Sequence, residues 1–174
     1  RMKSARHKVL HTIAGKPMLR HLTDSLAILN PARTVVVVGA LKEQVEAEVV
    51  GKADVVVQQP QHGTGHAVLQ ARAALAGFDG KIMVLYGDAP LVPAATMQRL
   101  LDALTEDVAV AVLGFRPAEP VAYGRVIAEA GAIRKMVEYK DATLAERAET
   151  LCNSGLMAVR AADLFPLLAR VTNN

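Results

Sequence analysis

Apolar residues fall in short continuous runs over the first two-thirds of the chain, with little strict alternation. Residues 34–39 contain four consecutive valines, 54–58 three more, 82–86 read Ile-Met-Val-Leu-Tyr, and 108–115 form the longest run. Such runs, bounded by turn formers, predict strands buried on both faces, as in a parallel sheet. Helical spacing appears between them. Met18, Leu22, Leu26 and Leu29 follow Gly15-Lys16-Pro17, with proline at the first helical position. A short helix is expected over 42–50. Ala67, Val68, Ala71 and Leu75 line another, ended by Gly77, and Met97, Leu100, Leu101 and Leu104 line one over 94–104. A strand-like piece at 9–13 precedes the first helix. The order β-α-β-α-β-α-β predicts an α/β fold, a mostly parallel doubly wound sheet with right-handed crossovers.

The pattern changes after residue 116. Residues 117–120 read as a loop. Residues 123–127 and 133–139 read as the arms of a hairpin turning at Glu129-Ala130-Gly131. A short helix at 142–148, a strand at 151–159 and a helix at 161–170 complete the chain, with Pro166 expected to kink or shorten the last. This β-rich lobe is expected to close the open edge of a pocket and to supply the second ligand.

Length and composition narrow the classes. The 174 residues are enough for one domain. The longest apolar run is far short of the roughly 20 residues of a membrane helix. The basic opening followed by a stretch broken by His11 is no signal peptide. The single cysteine, Cys152, rules out an internal disulfide and fits a reducing compartment, so a cytoplasmic protein is expected. Net charge is +3, but aromatics make up 3% and tryptophan is absent. Single-strand nucleic-acid binders usually need stacking rings, which ranks that reading low, and small anionic ligands such as phosphates explain the modest positive charge equally well.

Candidate chemistry clusters at strand ends. Gly87 and Asp88 follow the 82–86 run, and Pro90 stops further pairing. An acid just past the carboxyl end of a central strand sits where open α/β sheets bind ligands. It can hold a hard cation together with ligand phosphates, or it can cap a turn; the tripeptide leaves both readings open. Arg1, Lys3, Arg6 and Lys8 form either a solvated tail or a phosphate clamp. After the 54–58 strand comes Gln58-Gln59-Pro60-Gln61-His62-Gly63-Thr64-Gly65-His66. There Thr64 can N-cap the next helix, leaving amide donors at its start, and the Gln58 amide can pair with a base edge. By itself this reads more readily as an ordinary strand–loop–helix joint with a glycine-rich turn. His62 and His66 have no third ligand near, which argues against zinc. Glu138 falls on the exposed face of an alternating strand, and Asn153, in an apolar strand, needs a partner from backbone or ligand.

Several separated motifs then coincide in order. They are an opening Arg-Met-x-Ser, Lys-Val-Leu-His at 8–11, Gly-Thr-Gly-His-Ala after a strand, Leu-Tyr-Gly-Asp-x-Pro-Leu, Tyr-Gly-Arg, Val-Glu-x-Lys-Asp-Ala and Asn-x-Gly. Over essentially all of its length the chain resembles the N-terminal domain of the bacterial bifunctional N-acetylglucosamine-1-phosphate uridyltransferase/glucosamine-1-phosphate acetyltransferases. That resemblance implies a Rossmann-like nucleotidyltransferase domain with a β-rich sugar-binding lobe. The implied reaction joins UTP to N-acetylglucosamine 1-phosphate, giving UDP-N-acetylglucosamine and pyrophosphate, with Mg²⁺ as cofactor. Arg1 and Lys8 correspond to phosphate-binding cations and, with Asp88, to the catalytic set. Gln58, Gly63 and Thr64 correspond to uracil recognition. Tyr86 and Gly87 lie beside the nucleotide-sugar, and Asp88 corresponds to the metal ligand. Gly124, Glu138 and Asn153 correspond to contacts with the N-acetylglucosamine moiety. The resemblance further implies a homotrimer with no nucleic-acid or membrane partner. His7 stands where the family usually has Pro, and Ser154 where Thr is commoner. The family opens with a Leu-Ala-Ala-Gly loop ahead of Arg1 and has a second metal-ligating Asn beyond 174, so residues 1–174 are expected to be a partial domain, truncated at both ends. Another nucleotidyltransferase on the same fold and a non-catalytic nucleotide-sugar binding module are the competing expectations.

Overall fold

The computed structural model describes residues 4–171. Nine strands and six helices alternate along the described chain, with 3₁₀ turns at Lys8–Leu10 and Tyr139–Asp141. Strands β1 (Thr12–Ile13) and β2 (Lys16–Pro17) form a small antiparallel hairpin. Its two connecting residues, Ala14 and Gly15, both have positive φ, 49° and 79°. That is the primed turn whose twist matches a two-residue hairpin. The strand expected at 9–13 is therefore a 3₁₀ turn running into this hairpin, because the His7 side chain caps the turn by accepting from the Val9 N–H.

Helix α1 (Met18–Ala27) buries Leu19 and Leu22. Strand β3 (Val35–Val38), helix α2 (Lys42–Val49) and strand β4 (Asp54–Val57) form one β-α-β unit, with β3 parallel to β4 in the register Val35↔Asp54 to Val38↔Val57. Leu19, Val38, Val45 and Val49 make the core here, and Val9, Val36, Val55 and Val57 pack against it. Helix α3 (Gly63–Gln70) follows. It starts one residue before Thr64, with His62 at the capping position and no side-chain cap. Thr64 thus lies in the first turn and does not cap it.

A second sheet is built round β9 (Cys152–Arg160), whose partners are β5 (Lys81–Val84), β6 (Val110–Phe115) and β7 (Arg125–Glu129). All three run antiparallel to β9. Ala158 faces Met83 on one edge and Ala111 on the other, so β9 inserts between β5 and β6. Cys152 in turn faces Phe115 and Arg125, so β5 and β7 share one edge of β9 end to end. The α/β class is as expected, but the parallel ladder among the described residues is confined to β3–β4. The reason is physical. An apolar run announces burial on two faces without encoding the direction of its neighbour, and β9, with Leu156, Ala158 and Val159 buried, satisfies both strands at once. Helix α4 (Ala94–Asp102) covers this sheet, its Leu100 joining Leu104, Ala111 and Ala158 in a second core.

Strand β7 pairs with β8 (Ala132–Val137) in the expected hairpin, turned at Ala130-Gly131. Helix α5 (Leu144–Arg147) and helix α6 (Ala161–Leu168) complete the chain. Pro166 sits inside α6, which stops two residues short of the expected end. Among the described residues no helix is long and apolar enough to cross a membrane.

Candidate active site

Strand β9 explains how distant residues meet. The β5–β9 register, Val84 opposite Met157, carries the chain onward so that Tyr86 faces Gly155. Gly155 has φ +80°, and a Cβ there would stand 2.2 Å from the Tyr86 ring. The glycine is thus required twice, for its backbone angle and for the ring pressed on it. Beyond Tyr86 come Gly87 and Asp88. A Cβ on Gly87 would lie 2.9 Å from Val9 Cγ1, so the opening segment packs directly on the tip of β5. That contact delivers Lys8, whose Nζ donates to Asp88 Oδ2 at 2.6 Å. Both side chains stay open to solvent, 58% and 46% exposed. Such an ion pair contributes little to stability, and it leaves a cation and a carboxylate free to exchange partners when a charged ligand arrives.

The opening segment has its own anchors. Gln44 of α2 accepts from the His7 N–H at 2.8 Å and donates to the Ala5 carbonyl at 3.0 Å. Burial lowers the pKa of His7, which favours the neutral ring. Arg1 lies outside the described residues, so its expected place beside Lys8 goes undescribed.

Two residues before Gly155 on β9, Asn153 N–H donates to Gly124 O at 2.9 Å. Gly124, Arg125, Met136, Val137, Glu138 and Asn153 line a small pocket of about 100 Å³. The Asn153 amide oxygen accepts from Gly155 N–H at 2.8 Å, which leaves its amide nitrogen for a ligand. A Cβ on Gly124 would sit 3.5 Å from both Glu138 carboxylate oxygens. The residues expected to touch a sugar thus converge on one pocket, whose Asn153 stands two residues along β9 from the Gly155 that faces Tyr86.

The Gln58 corner lies at the end of β4. Gln58 is 8% exposed, and its Nε2 donates to Gly63 O at 2.8 Å. Gly63 takes φ +87°, an angle that favours glycine. No hydrogen bond or ion pair joins this corner to Asp88 among the described residues. The link is Val9, which touches Gly87 on one side and the β3–β4 core on the other.

Two residues in this arrangement were inside recognised motifs yet unassigned. Gly155 closes Asn-x-Gly, and its value shows only when the register sets Tyr86 against it. Arg125 closes Tyr-Gly-Arg and is 2% exposed. It donates to the carbonyls of Pro120 at 2.7 Å, of Tyr123, and of Arg147 at 3.4 Å. It fixes the loop that presents Gly124.

The chemistry available is that of an exposed cation and carboxylate side by side at a strand tip. Among the described residues no group of three or more His, Cys, Asp or Glu gathers. Asp88 offers one hard oxygen donor with no imidazole or thiolate beside it. That donor set suits a cation which takes most of its ligands from water and substrate phosphates.

Two solved structures share this architecture. CMP:2-keto-3-deoxy-manno-octonic acid synthetase complexed with CTP superposes with a TM-score of 0.72 at 22% identity, over 97% of this chain and 74% of that one. UDP-glucose pyrophosphorylase complexed with UDP-glucose gives 0.74 at 18% identity, over 96% and 72%. Residues 1–152 match the MobA-like NTP transferase domain, and the chain belongs to that family. Among curated proteins it is 61% identical to the bifunctional protein GlmU of Sphingopyxis alaskensis over 176 residues, which is all of this chain and 39% of that protein. The corresponding figures for the bifunctional protein GlmU of Zymomonas mobilis are 54% over 180 residues, all of this chain and 40% of that protein. The chain therefore spans about two-fifths of the length of the relatives it matches.

Proposed function

We propose that this domain transfers uridylyl from UTP to N-acetylglucosamine 1-phosphate, releasing pyrophosphate. The observation that supports it best is the convergence along β9. A Lys8–Asp88 pair stands at the tip of β5, Tyr86 lies against Gly155, and a pocket is lined by Gly124, Glu138 and Asn153. Similarity to proteins named GlmU over the whole chain agrees with it. A phosphate oxygen of the sugar phosphate attacks the α-phosphorus of UTP in line. The new P–O bond forms as the bond to the bridging α–β oxygen breaks, and the electron pair leaves with pyrophosphate. Catalysis of this kind is placement and charge neutralisation.

Lys8 Nζ swings from Asp88 to the nucleotide phosphates as a point charge, and Arg1 is the second cation of that clamp. Asp88, released, would hold Mg²⁺, and the ion would supply charge neutralisation for the phosphates. Gln58, Gly63 and Thr64 receive the uracil, and Tyr86 and Gly87 lie beside the nucleotide-sugar. Gly124, Glu138 and Asn153 contact the N-acetylglucosamine moiety, Glu138 by accepting from a hydroxyl. A cytoplasmic homotrimer belongs to the same reading, and sedimentation of the full-length protein tests that assembly.

The test is pyrophosphate release by the full-length protein from UTP, Mg²⁺ and N-acetylglucosamine 1-phosphate, beside a panel of other nucleotides and sugar phosphates. Release confined to another pair reassigns the substrates, and UDP-sugar binding without any turnover makes the chain a binding module. Asp88→Asn abolishes Mg²⁺-dependent turnover with the fold intact. Lys8→Ala lowers kcat about 10²-fold, the scale of losing one preorganised electrostatic donor; an unchanged rate refutes the clamp.

A further inference from the structure

The orientation of the Gln58 amide is settled by what surrounds it. Its Nε2 lies 2.8 Å from the Gly63 carbonyl oxygen, which has lone pairs only and so disfavours the amide oxygen in that place. The second hydrogen of Nε2 points at His66 Nδ1, 3.1 Å away. The Gln58 oxygen, Oε1, receives no hydrogen bond from the described residues. The far nitrogen of the same ring, His66 Nε2, lies 3.1 Å from Gln70 Nε2, and Gln70 Nε2 also donates to the His66 carbonyl at 3.1 Å. A neutral imidazole has one lone pair to offer, so two amide donors compete for it. Gln70 is half-buried and keeps the backbone carbonyl as its acceptor. The second hydrogen of buried Gln58 has no other acceptor, and leaving it unpaired costs more. The ring proton therefore rests on Nε2, where it faces the Gln70 amide nitrogen without a hydrogen bond between them, and Nδ1 accepts from Gln58.

We propose that His66 is a specificity-determining positioning residue. By accepting from Gln58 Nε2 it locks the amide with its oxygen outward, so this corner accepts from a base edge bearing a ring N–H and turns away one bearing a ring lone pair. The inference rests on the uridylyl-transfer reading above and deepens it: uracil presents N–H where cytosine presents a lone pair. Without the imidazole only the Gly63 carbonyl opposes rotation of the amide, and the flipped amide offers N–H to cytosine. Sites that hydrogen-bond a substrate edge discriminate through the group left unpaired by the wrong ligand.

The experiment measures kcat/KM for UTP and for CTP in the full-length protein, by pyrophosphate release with N-acetylglucosamine 1-phosphate. His66→Leu lowers the UTP:CTP ratio about ten-fold, the scale of one recognition hydrogen bond, and leaves KM for the sugar phosphate in place. His66→Asn, whose amide oxygen stands in for Nδ1, restores most of the ratio. Should the leucine variant fail to fold, His66→Gln replaces it, since its amide oxygen mimics Nε2 instead; the ratio then holds in the asparagine variant and falls in the glutamine one. A merely structural His66 lowers both kcat/KM values together and leaves their ratio unchanged, which overturns the inference. If Gln58→Leu collapses the ratio and His66→Leu does not, the positioning role fails while the function stands. If the wild-type protein shows no preference for UTP, the functional reading falls first and the inference with it.

Discussion

The β3–β4 unit and the β7–β8 lobe solve the same problem by opposite means. In the first, seven of the eight paired residues are valine, and the sheet is clamped under Leu19, Val45 and Val49. Apolar burial holds it, and Gln58 is the one buried polar side chain at its end. In the second, β8 is exposed along five of its six residues, and the organising group is a buried cation. The Arg125 guanidinium is spent on loop carbonyls, with Cys152 Sγ 3.8 Å away. It lies 5.2 Å from the centre of the Tyr139 ring, and Arg147 lies 4.6 Å from the same ring. A sheet with one wet face cannot draw its stability from burial on both sides, so polar ties carry the load. The same ties set where Gly124 and the pocket stand.

The largest expected effect follows from removing that cation. Arg125→Met keeps bulk but strips the loop carbonyls of their donor. Buried acceptors left unpaired cost about 1–3 kcal/mol each, so a loss on the order of 3 kcal/mol is expected, a fall in Tm of about 10 °C for a chain of this size. KM for the sugar phosphate rises with it, because Gly124 loses its support. A Tm within a degree of wild type breaks the contrast between the two regions. On the apolar side, Val45→Ala deletes two methyl groups from a fully buried position, at about 0.8 kcal/mol per group plus the cavity. Urea unfolding is expected to show a loss of about 2 kcal/mol, with substrate KM values unchanged if Val45 only packs.

Gly155→Ala acts on the joint between the two regions. The left-handed backbone costs an alanine about 1–2 kcal/mol, and the Tyr86 ring must move to admit the methyl. KM for both substrates is expected to rise while the far-ultraviolet spectrum stays the same. An unchanged KM removes Tyr86 from the site.

How much of this the residues announce differs between the two regions for the same reason that their stabilisation does. The valine runs of β3 and β4 could be read directly, because burial on both faces forces an apolar sequence. The role of β9 could not, since its direction and its place between β5 and β6 are tertiary outcomes. Lys8 and Asp88 stood 80 positions apart and were paired only through motif resemblance; the contact of Val9 with Gly87 is what joins them. Arg125 fell in the middle of the expected 123–127 arm, and nothing local marks an arginine that will be sealed among carbonyls. His66 read only as a histidine with no third metal ligand near, because its partner Gln58 becomes a neighbour only once α3 folds back beside β4, although Gln70 stands one turn along the same helix. Local pattern fixes the elements, whereas the polar contacts of the site belong to the register between them.

The smallest effect concerns acid. Glu146 closes a capping box on α5: its Oε2 accepts from Thr143 N–H at 2.8 Å, while its own N–H donates to Thr143 Oγ1 at 3.3 Å. Lys135 of β8 donates to its Oε1 at 2.5 Å, tying helix to hairpin. The Lys135 hydrogen bond first, and then the Thr143 amide, pull its pKa from 4.5 down to about 2. A carboxylate with a depressed folded pKa contributes stability that is complete above its unfolded value and fades as pH falls toward the folded one. The contribution is therefore whole above pH 4.5 and drains away between about 4.5 and 2. Urea unfolding at steps across that window is expected to show a shallower decline in Glu146→Gln than in wild type. Lys135→Met, which removes the largest cause and leaves the capping box, should fall between them. If all three decline alike, the tie between α5 and β8 is too loose in solution to count, and the lobe rests on Arg125 alone.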